Sequence, residues 1–318
     1  MSFTPQNTDF IRRHVLRALS SNRAPGMNFA GYFLAFTPRR FKTDGVEFTV
    51  DAAPYCTNAD GIVHRAALLF AADMTLAAAN RVFLDPNVRT ATLMLRVEFT
   101  GEPAHGPLEA SGRGSGFSPH TALPESVAAG QVLCNGRVVM RMSGTWVSPH
   151  APKGMVMHGL PWEGGLDGAQ LPLLKRKDFD AAEKDLVRRV DKAMRTAHKG
   201  DLLASLWNPV VRHTPQGASG RLPVAMHVGN RVGHVQGGLL INAALVTAEA
   251  AVPEHPILTG ASAWYISPGQ GKAISSRATV LQCGRNIALV RTELFNAGRK
   301  LVLEVISNHA LAARGAAC

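Results

Sequence analysis

Asn58-Ala-Asp-Gly61-Ile-Val-His64-Arg-Ala-Ala-Leu-Leu-Phe-Ala-Ala-Asp73 has a counterpart 172 residues on, Asn230-Arg-Val-Gly233-His-Val-Gln236-Gly-Gly-Leu-Leu-Ile-Asn-Ala-Ala-Leu245. Each stretch starts with Asn-x-x-Gly and runs into an Ala/Leu-rich segment with little charge on any face. A helix that is apolar nearly all round is a buried one. The spacing therefore predicts two buried helices, beginning near Gly61 and Gly233, in a chain built from two similar halves.

The flanks of each helix repeat as well. Strand-like sequence lies upstream, at Gly45–Ala52 and at Leu222–Val228. Downstream of the first helix come strand-like runs over Thr90–Phe99, Leu108–Gly116, Ser126–Cys134 and Arg137–Val147. Downstream of the second come Thr259–Ile266, Lys272–Gln282, Ile287–Phe295 and Lys300–Asn308. Asn135-Gly136 is a strong hairpin signal, and Cys283-Gly284-Arg285 and Asn296-Ala297-Gly298 supply turns in the second half. Each half thus reads as an α+β unit, an antiparallel sheet wrapped around one central helix. Before each half lies an amphipathic helix, with stripes at Ile11, Val15, Leu19 and at Leu186, Val190, Met194. The Gly/Pro-rich stretch around PKGMVMHGLPWEGGLDG reads as a linker. The expected organisation is an N-terminal helix over 1–24, a first domain over 25–150, a linker and helix over 151–200, and a second domain over 201–318.

Composition narrows the function classes. The 318 residues exceed one small domain, and 46% apolar with 18% charged residues is an ordinary globular balance. Four scattered cysteines, with no CxxC and no Cys/His cluster, argue against a disulfide framework and against a structural metal site. The first residues lack an apolar signal core, and no apolar run is long enough to span a bilayer, so a cytoplasmic chain is expected. A net charge of +11 is compatible with nucleic acid, an anionic membrane or a small anionic ligand. The basic residues are scattered, and three Tyr and four Trp are few for base stacking, so nucleic acid is not expected. Catalytic templates of other kinds fail: there is no G-x-S-x-G elbow, no P-loop and no H-E-x-x-H, and the GxGxG at 112–116 lies in strand-like sequence.

Asn58, Gly61, His64 and Asp73 resemble the signature of phenylacetate-pathway-type hotdog acyl-CoA thioesterases, N-x-x-G-x-x-H-G-G with an acid nine residues after the His. The resemblance extends over about 100 residues in each half. It implies two tandem hotdog domains forming an intrachain pseudo-dimer. It implies an acyl-CoA thioester as substrate with no further cofactor, and it leaves room for a homodimer of such chains. In that family the N-terminus of the helix holds the oxyanion, the acid on the helix is base or nucleophile, and a strand hydroxyl, here Thr92, assists it. Each site is built across a dimer from the glycine loop of one subunit and the acid of the other.

The two halves depart from the pattern differently. The first has Arg65-Ala66 in place of Gly-Gly. The second keeps Gly237-Gly238 but has Gln236 for His and Leu245 at the acid position, with Glu249 one turn later. One complete site is therefore expected, from Asp73 and Thr92 with Asn230, Gln236, Gly237 and Gly238. A second, incomplete one combines Asn58, His64, Arg65, Leu245 and Glu249. Arg65, Arg89 and Arg231 are candidates for the CoA phosphates, since arginine forks suit phosphate oxygens. Each residue also has a plainer reading: Asn58 as a turn residue, His64 as a helix cap, the arginines as solvated charges, Asp73 as a structural buried acid. Two other functions stay open, a non-catalytic acyl-ligand binder and an enoyl-CoA hydratase. The hydratase pattern D-x-N-P-x-H fits poorly, because Asp60 and His64 stand too close together.

Overall fold

The structure, a computed structural model, describes residues 3–118, 123–151, 154, 156–163, 171–252 and 256–310. Linker residues 152–153, 155 and 164–170, and Cys318, lie outside the described residues. Cys56, Cys134 and Cys283 are free thiols.

The first half runs α1 (Pro5–Asn22), α2 (Phe29–Phe33), β1 (Thr37–Lys42), β2 (Gly45–Val50), α3 (Arg65–Arg81), β3 (Ala91–Phe99), β4 (Leu108–Phe117), β5 (Glu125–Cys134) and β6 (Arg137–Val147). The second half repeats the order with α4 (Ala181–Thr196), α5 (Leu202–Trp207), β7 (Val210–Thr214), β8 (Gly217–Pro223), α6 (Gly237–Ala251), β9 (Ile257–Tyr265), β10 (Ala273–Cys283), β11 (Ile287–Phe295) and β12 (Leu301–Ala310). All twelve strands form one antiparallel sheet in the order β1-β2-β4-β5-β6-β3-β9-β12-β11-β10-β8-β7. Read from its two edges inward, the strand order is the same in both halves. They join at β3 and β9, where Leu95 pairs with Ala263 and Arg96 with Ser262.

The central helices are buried as their composition requires. Leu69, Phe70 and Leu76 of α3, and Leu239, Ile241 and Leu245 of α6, have no exposed surface. The helices also pack on each other, and the fit depends on Gly238. A Cβ there would lie 2.4 Å from the carbonyl oxygen of Leu69, so only glycine lets the α6 backbone come this close. The stripes of α1 and α4 are buried too, from Ile11 to Leu19 and from Leu186 to Met194.

Two expectations need correction, and a third point concerns two strands that were not expected. Both central helices start four residues after the motif glycine. Asn58 Oδ1 accepts the N–H groups of Asp60 and Ile62, and Asn230 Oδ1 accepts those of Val232 and His234, all at 3.0 Å. These turns put Gly61 and Gly233 at φ +77°, which ends any helical path there. Second, the stretch expected as a strand to Val228 leaves the sheet after Pro223, and Met226–Val228 is a 3-10 turn. Third, β1 and β7 form the outer edges of the sheet. Their charged, weakly alternating sequences, TPRRFK and VVRHT, hide them from a periodicity reading and suit edge strands.

Candidate active site

Asp73 lies in the middle of α3 with 6% of its surface exposed. Thr92 Oγ1, on β3, donates to its Oδ1 at 2.8 Å, and Gln236 Nε2 donates to its Oδ2 at 2.7 Å. Gln236 has a second task. Its Oε1 accepts the Leu239 N–H at 3.0 Å, capping α6 and fixing the amide so that its NH2 faces the acid. The Gly238 N–H also bonds the carboxylate. A Cβ on Gly237 would fall 2.7 Å from Asp73 Oδ2, so the start of α6 lies directly against the acid.

Burial pushes the Asp73 carboxyl up to about 6, against the opposing pull of the Thr92 and Gly238 hydrogen bonds. The acid is thus poised between its two protonation states near neutrality, as a proton-transferring group needs to be. The Tyr265 hydroxyl, at the end of β9, donates to the Gly237 carbonyl at 2.9 Å. Burial, with the nearby Asp73, holds this phenol well above its ordinary value, so it acts as a neutral donor.

These groups border a cavity of about 320 Å3, lined also by Arg89, Asn230, Arg231 and His234. Arg89 is half-buried, and burial lowers its pKa. Arg231 donates to the His158 carbonyl of the linker at 2.7 Å, and burial, with Arg81 nearby, lowers its pKa to about 10. Asn230 shapes the turn that aims α6, and its side-chain oxygen is already engaged there.

The remaining sequence-predicted residues gather at the equivalent place in the other half. Asn58, His64, Arg65 and Glu249 line a separate cleft of about 380 Å3. Leu245 is fully buried at the position that Asp73 holds in α3. Arg65 and Glu249 form a two-pronged ion pair across this cleft, with Nη2 to Oε2 at 2.8 Å, so Arg65 belongs to this second cleft and not to the one at Asp73. His64 Nδ1 accepts the Ala66 N–H at 3.0 Å, which puts its proton on Nε2, facing Asp201 Oδ2 at 3.9 Å. The carboxylate favours a charged ring, yet burial dominates and lowers the imidazole to about 4, so His64 is neutral.

Tyr265 escapes a reading centred on the helix motif. Laying β9 over β3 would have found it, because Phe99 and Leu258 then stand where Tyr265 and Thr92 stand. At the positions of the acid and the two hydroxyls, the second cleft has Leu245, Leu258 and Phe99.

No protein-family model matches the chain, and no curated protein matches it in sequence. Solved structures do match in shape. A candidate oleoyl thioesterase of Lactobacillus plantarum is 12% identical with a TM-score of 0.55, over 85% of this chain and 98% of that one. A candidate thioesterase II of Thermobifida fusca is 13% identical with a TM-score of 0.50, over 91% of this chain and 99% of that one. At such identities the likeness bears on fold, and the fold is the hotdog fold.

Proposed function

We propose that the chain hydrolyses acyl-CoA thioesters at one site, the cleft where its two hotdog halves meet as an intrachain pseudo-dimer. One observation carries the reading: a buried carboxyl with a pKa near 6, oriented by Thr92 and Gln236, touches the glycine start of a helix at the floor of a cavity. The first N–H groups of a helix have no intrahelical acceptor and carry the positive end of its dipole. In this reading the Gly237 N–H holds the thioester carbonyl oxygen as it becomes negative, a donor worth about 3 kcal/mol in the transition state.

The reaction then needs only water. Asp73 takes a proton from water as the water oxygen bonds the thioester carbon, and the carbonyl electron pair moves onto oxygen at Gly237. Collapse of this intermediate expels the CoA thiolate, which recovers the proton from Asp73, leaving a carboxylic acid and CoA. In the other form of the step the Asp73 carboxylate itself attacks the carbon and expels the CoA thiolate, and water cleaves the resulting anhydride, giving one proton to the thiolate and leaving the carboxylic acid and the Asp73 carboxylate. Under single turnover in oxygen-18 water, label in Asp73 identifies the second form with water adding to the Asp73 carbonyl carbon, and trapping the anhydride with hydroxylamine detects that form whichever carbon water attacks.

Release of free CoA from a panel of acyl-CoAs, with Asp73→Asn as control, tests the proposal. Turnover that vanishes in the variant while ligand binding persists is the expected result. Binding without turnover in the parent chain would make the cleft an acyl-ligand carrier, and water addition to an enoyl-CoA would make it a hydratase.

A further inference from the structure

We infer that Tyr265 is a positioning residue of the site: its hydroxyl holds the glycine start of α6 against Asp73. The inference rests on the thioester-hydrolase reading of the same cavity.

The start of α6 needs holding because of its composition. Glycine has the widest backbone freedom of any residue and, after proline, is the least favourable in a helix. Close approach nevertheless requires two in a row. A Cβ on Gly238 would lie 2.4 Å from the Leu69 carbonyl oxygen and 2.8 Å from the Phe70 Cα, and one on Gly237 would lie 2.7 Å from Asp73 Oδ2. The turn that meets the acid is therefore made of the residues least able to keep their own conformation. Three hydrogen bonds offset this. Gln236 Oε1 accepts the Leu239 N–H, Gln236 Nε2 donates to Asp73, and the Tyr265 hydroxyl donates to the Gly237 carbonyl at 2.9 Å. Of the three, the bond from Tyr265 is the one made to a glycine.

The Gly237 carbonyl and the Gly238 N–H belong to one peptide unit, and that N–H faces the Asp73 carboxylate. A donor on the carbonyl of an amide draws electron density from its nitrogen, so the N–H becomes a stronger donor in turn. Tyr265 thus acts on the acid through a single peptide unit. It fixes where the N–H points and strengthens what it donates.

The other half shows what the ring does without the hydroxyl. Phe99 ends β3 as Tyr265 ends β9, and both rings are half-buried against the same core. Phe99 borders the second cleft with Arg65, the first residue of α3, as Tyr265 borders the first cleft with Gly237, the first residue of α6. Packing at this place is therefore met by an aromatic ring alone. The hydroxyl stands at the end where the acid and the glycines are.

The other charged or titratable groups bordering the cavity are Arg81, Arg89, Arg231 and His234. Arg81 is engaged by Glu163, and burial, with Arg89 nearby, holds His234 below its ordinary value. Among the described residues none of the four is hydrogen-bonded to Tyr265 or Asp73, so removing the hydroxyl leaves them in place.

The test is Tyr265→Phe, which keeps the ring. The Asp73 carboxyl is followed against pH by carbon-13 NMR, with Asp73→Asn to identify its signal. Turnover is measured on straight-chain acyl-CoAs from butanoyl to hexadecanoyl. Without the hydroxyl the N–H is a weaker donor to the ionised carboxylate, so the protonated form gains. The titration is expected about 0.2–0.5 pH unit higher in the variant, and the acidic limb of kcat/KM is expected to move with it. On the plateau kcat is expected to fall about fivefold with KM little changed. Tyr265→Leu, which removes the ring as well, is expected to add a lower denaturation midpoint that Tyr265→Phe lacks. An Asp73 titration at the same pH in the parent and Tyr265→Phe chains would overturn the inference while leaving hydrolysis intact. So would a lowered denaturation midpoint as the sole effect of Tyr265→Phe. A titration that moves as expected, in a protein that releases no CoA, would overturn the hydrolase reading and leave the link from Tyr265 to the acid standing.

Discussion

Gln236 Nε2 donates to Asp73 Oδ2 across 2.7 Å, joining the cap of the second central helix to the middle of the first. The bond ties the alignment of the two halves to the orientation of the acid. Because Gln236 Oε1 also caps α6, the amide cannot turn away from the acid without uncapping the helix.

Asp73 destabilises the fold in its ionised form, and this gives a first prediction. Its folded pKa, about 6, stands above the ordinary 3.8. Between those values the folded chain holds more proton than the unfolded one, so this group's contribution to stability falls as pH rises through that window and is level above it. The full penalty at neutral pH is about 3 kcal/mol. Asparagine matches the carboxylate in shape and can still accept from Gln236 and donate to Thr92. Asp73→Asn is therefore expected to raise the denaturation midpoint at pH 8 and to have little effect at pH 4. A midpoint lowered at pH 8 would contradict the stated origin of the raised pKa.

The pH dependence of turnover follows from the same group. With Asp73 as base or nucleophile, kcat/KM is expected to fall as pH drops through about 6. Thr92→Val removes a hydrogen bond that lowers the pKa, so the acidic limb is expected to move to higher pH with some rate retained on the plateau. An acidic limb at the same pH in parent and variant would detach the limb from Asp73.

Much of this arrangement can be read from the sequence, for identifiable physical reasons. The Asn-x-x-Gly turns, the apolar helices and the Asn135-Gly136 hairpin are local signals. The hairpin appears with positive φ at both residues, 50° and 73°, as that dipeptide allows. Asp73 is conspicuous because its helical neighbours are all apolar. Tyr265 and Leu160 are not legible in the same way. Tyr265 reaches Gly237 only through strand pairing over long sequence separation, and a lone tyrosine ending a strand has many ordinary explanations. Leu160, which lines the cavity, sits in a Gly/Pro-rich stretch whose composition signals a connector, while it is held by Glu163, whose ion-pair partner Arg81 stands 82 residues before Glu163. The role of Gln236 is hidden for a different reason. Against a motif it looks like a lost histidine, and only its orientation shows it as a donor to the acid.

Gly237 and Leu245 should respond differently to substitution. Gly237→Val puts side-chain atoms where a Cβ alone would lie 2.7 Å from Asp73 Oδ2, so the carboxylate must move and the approach of a thioester is blocked. A loss of about 100-fold in kcat/KM is expected, since a displacement on the order of 1 Å at a reacting group has that effect. Leu245→Ala empties a fully buried site on the other side of the pseudo-symmetry. It is expected to cost about 2–5 kcal/mol of stability, with turnover per folded molecule little changed. Thermal unfolding and steady-state kinetics on both variants make the comparison, and a kinetic loss confined to Leu245→Ala would point to catalysis at the second cleft.

The second cleft supplies the last prediction. Glu249 offers a carboxylate one turn beyond Leu245, and a shifted catalytic geometry would need it free to move a proton. It is instead held by both terminal nitrogens of Arg65 across the helix pair, with only 29% of its side chain exposed. With both oxygens engaged by one guanidinium, the carboxylate is not free to reach a water at a thioester. The pair acts as a clamp between the start of α3 and the end of α6, at the place where the other cleft is open. Glu249→Gln and Arg65→Met are each expected to lower stability by about 1 kcal/mol, and the double variant by less than the sum, because each single change leaves a partner unpaired. Turnover should stay at the parent level in all three. A hydrolysis rate that falls with Glu249→Gln and is unaffected by Asp73→Asn would move the active site to this cleft and reverse the assignment of the two halves.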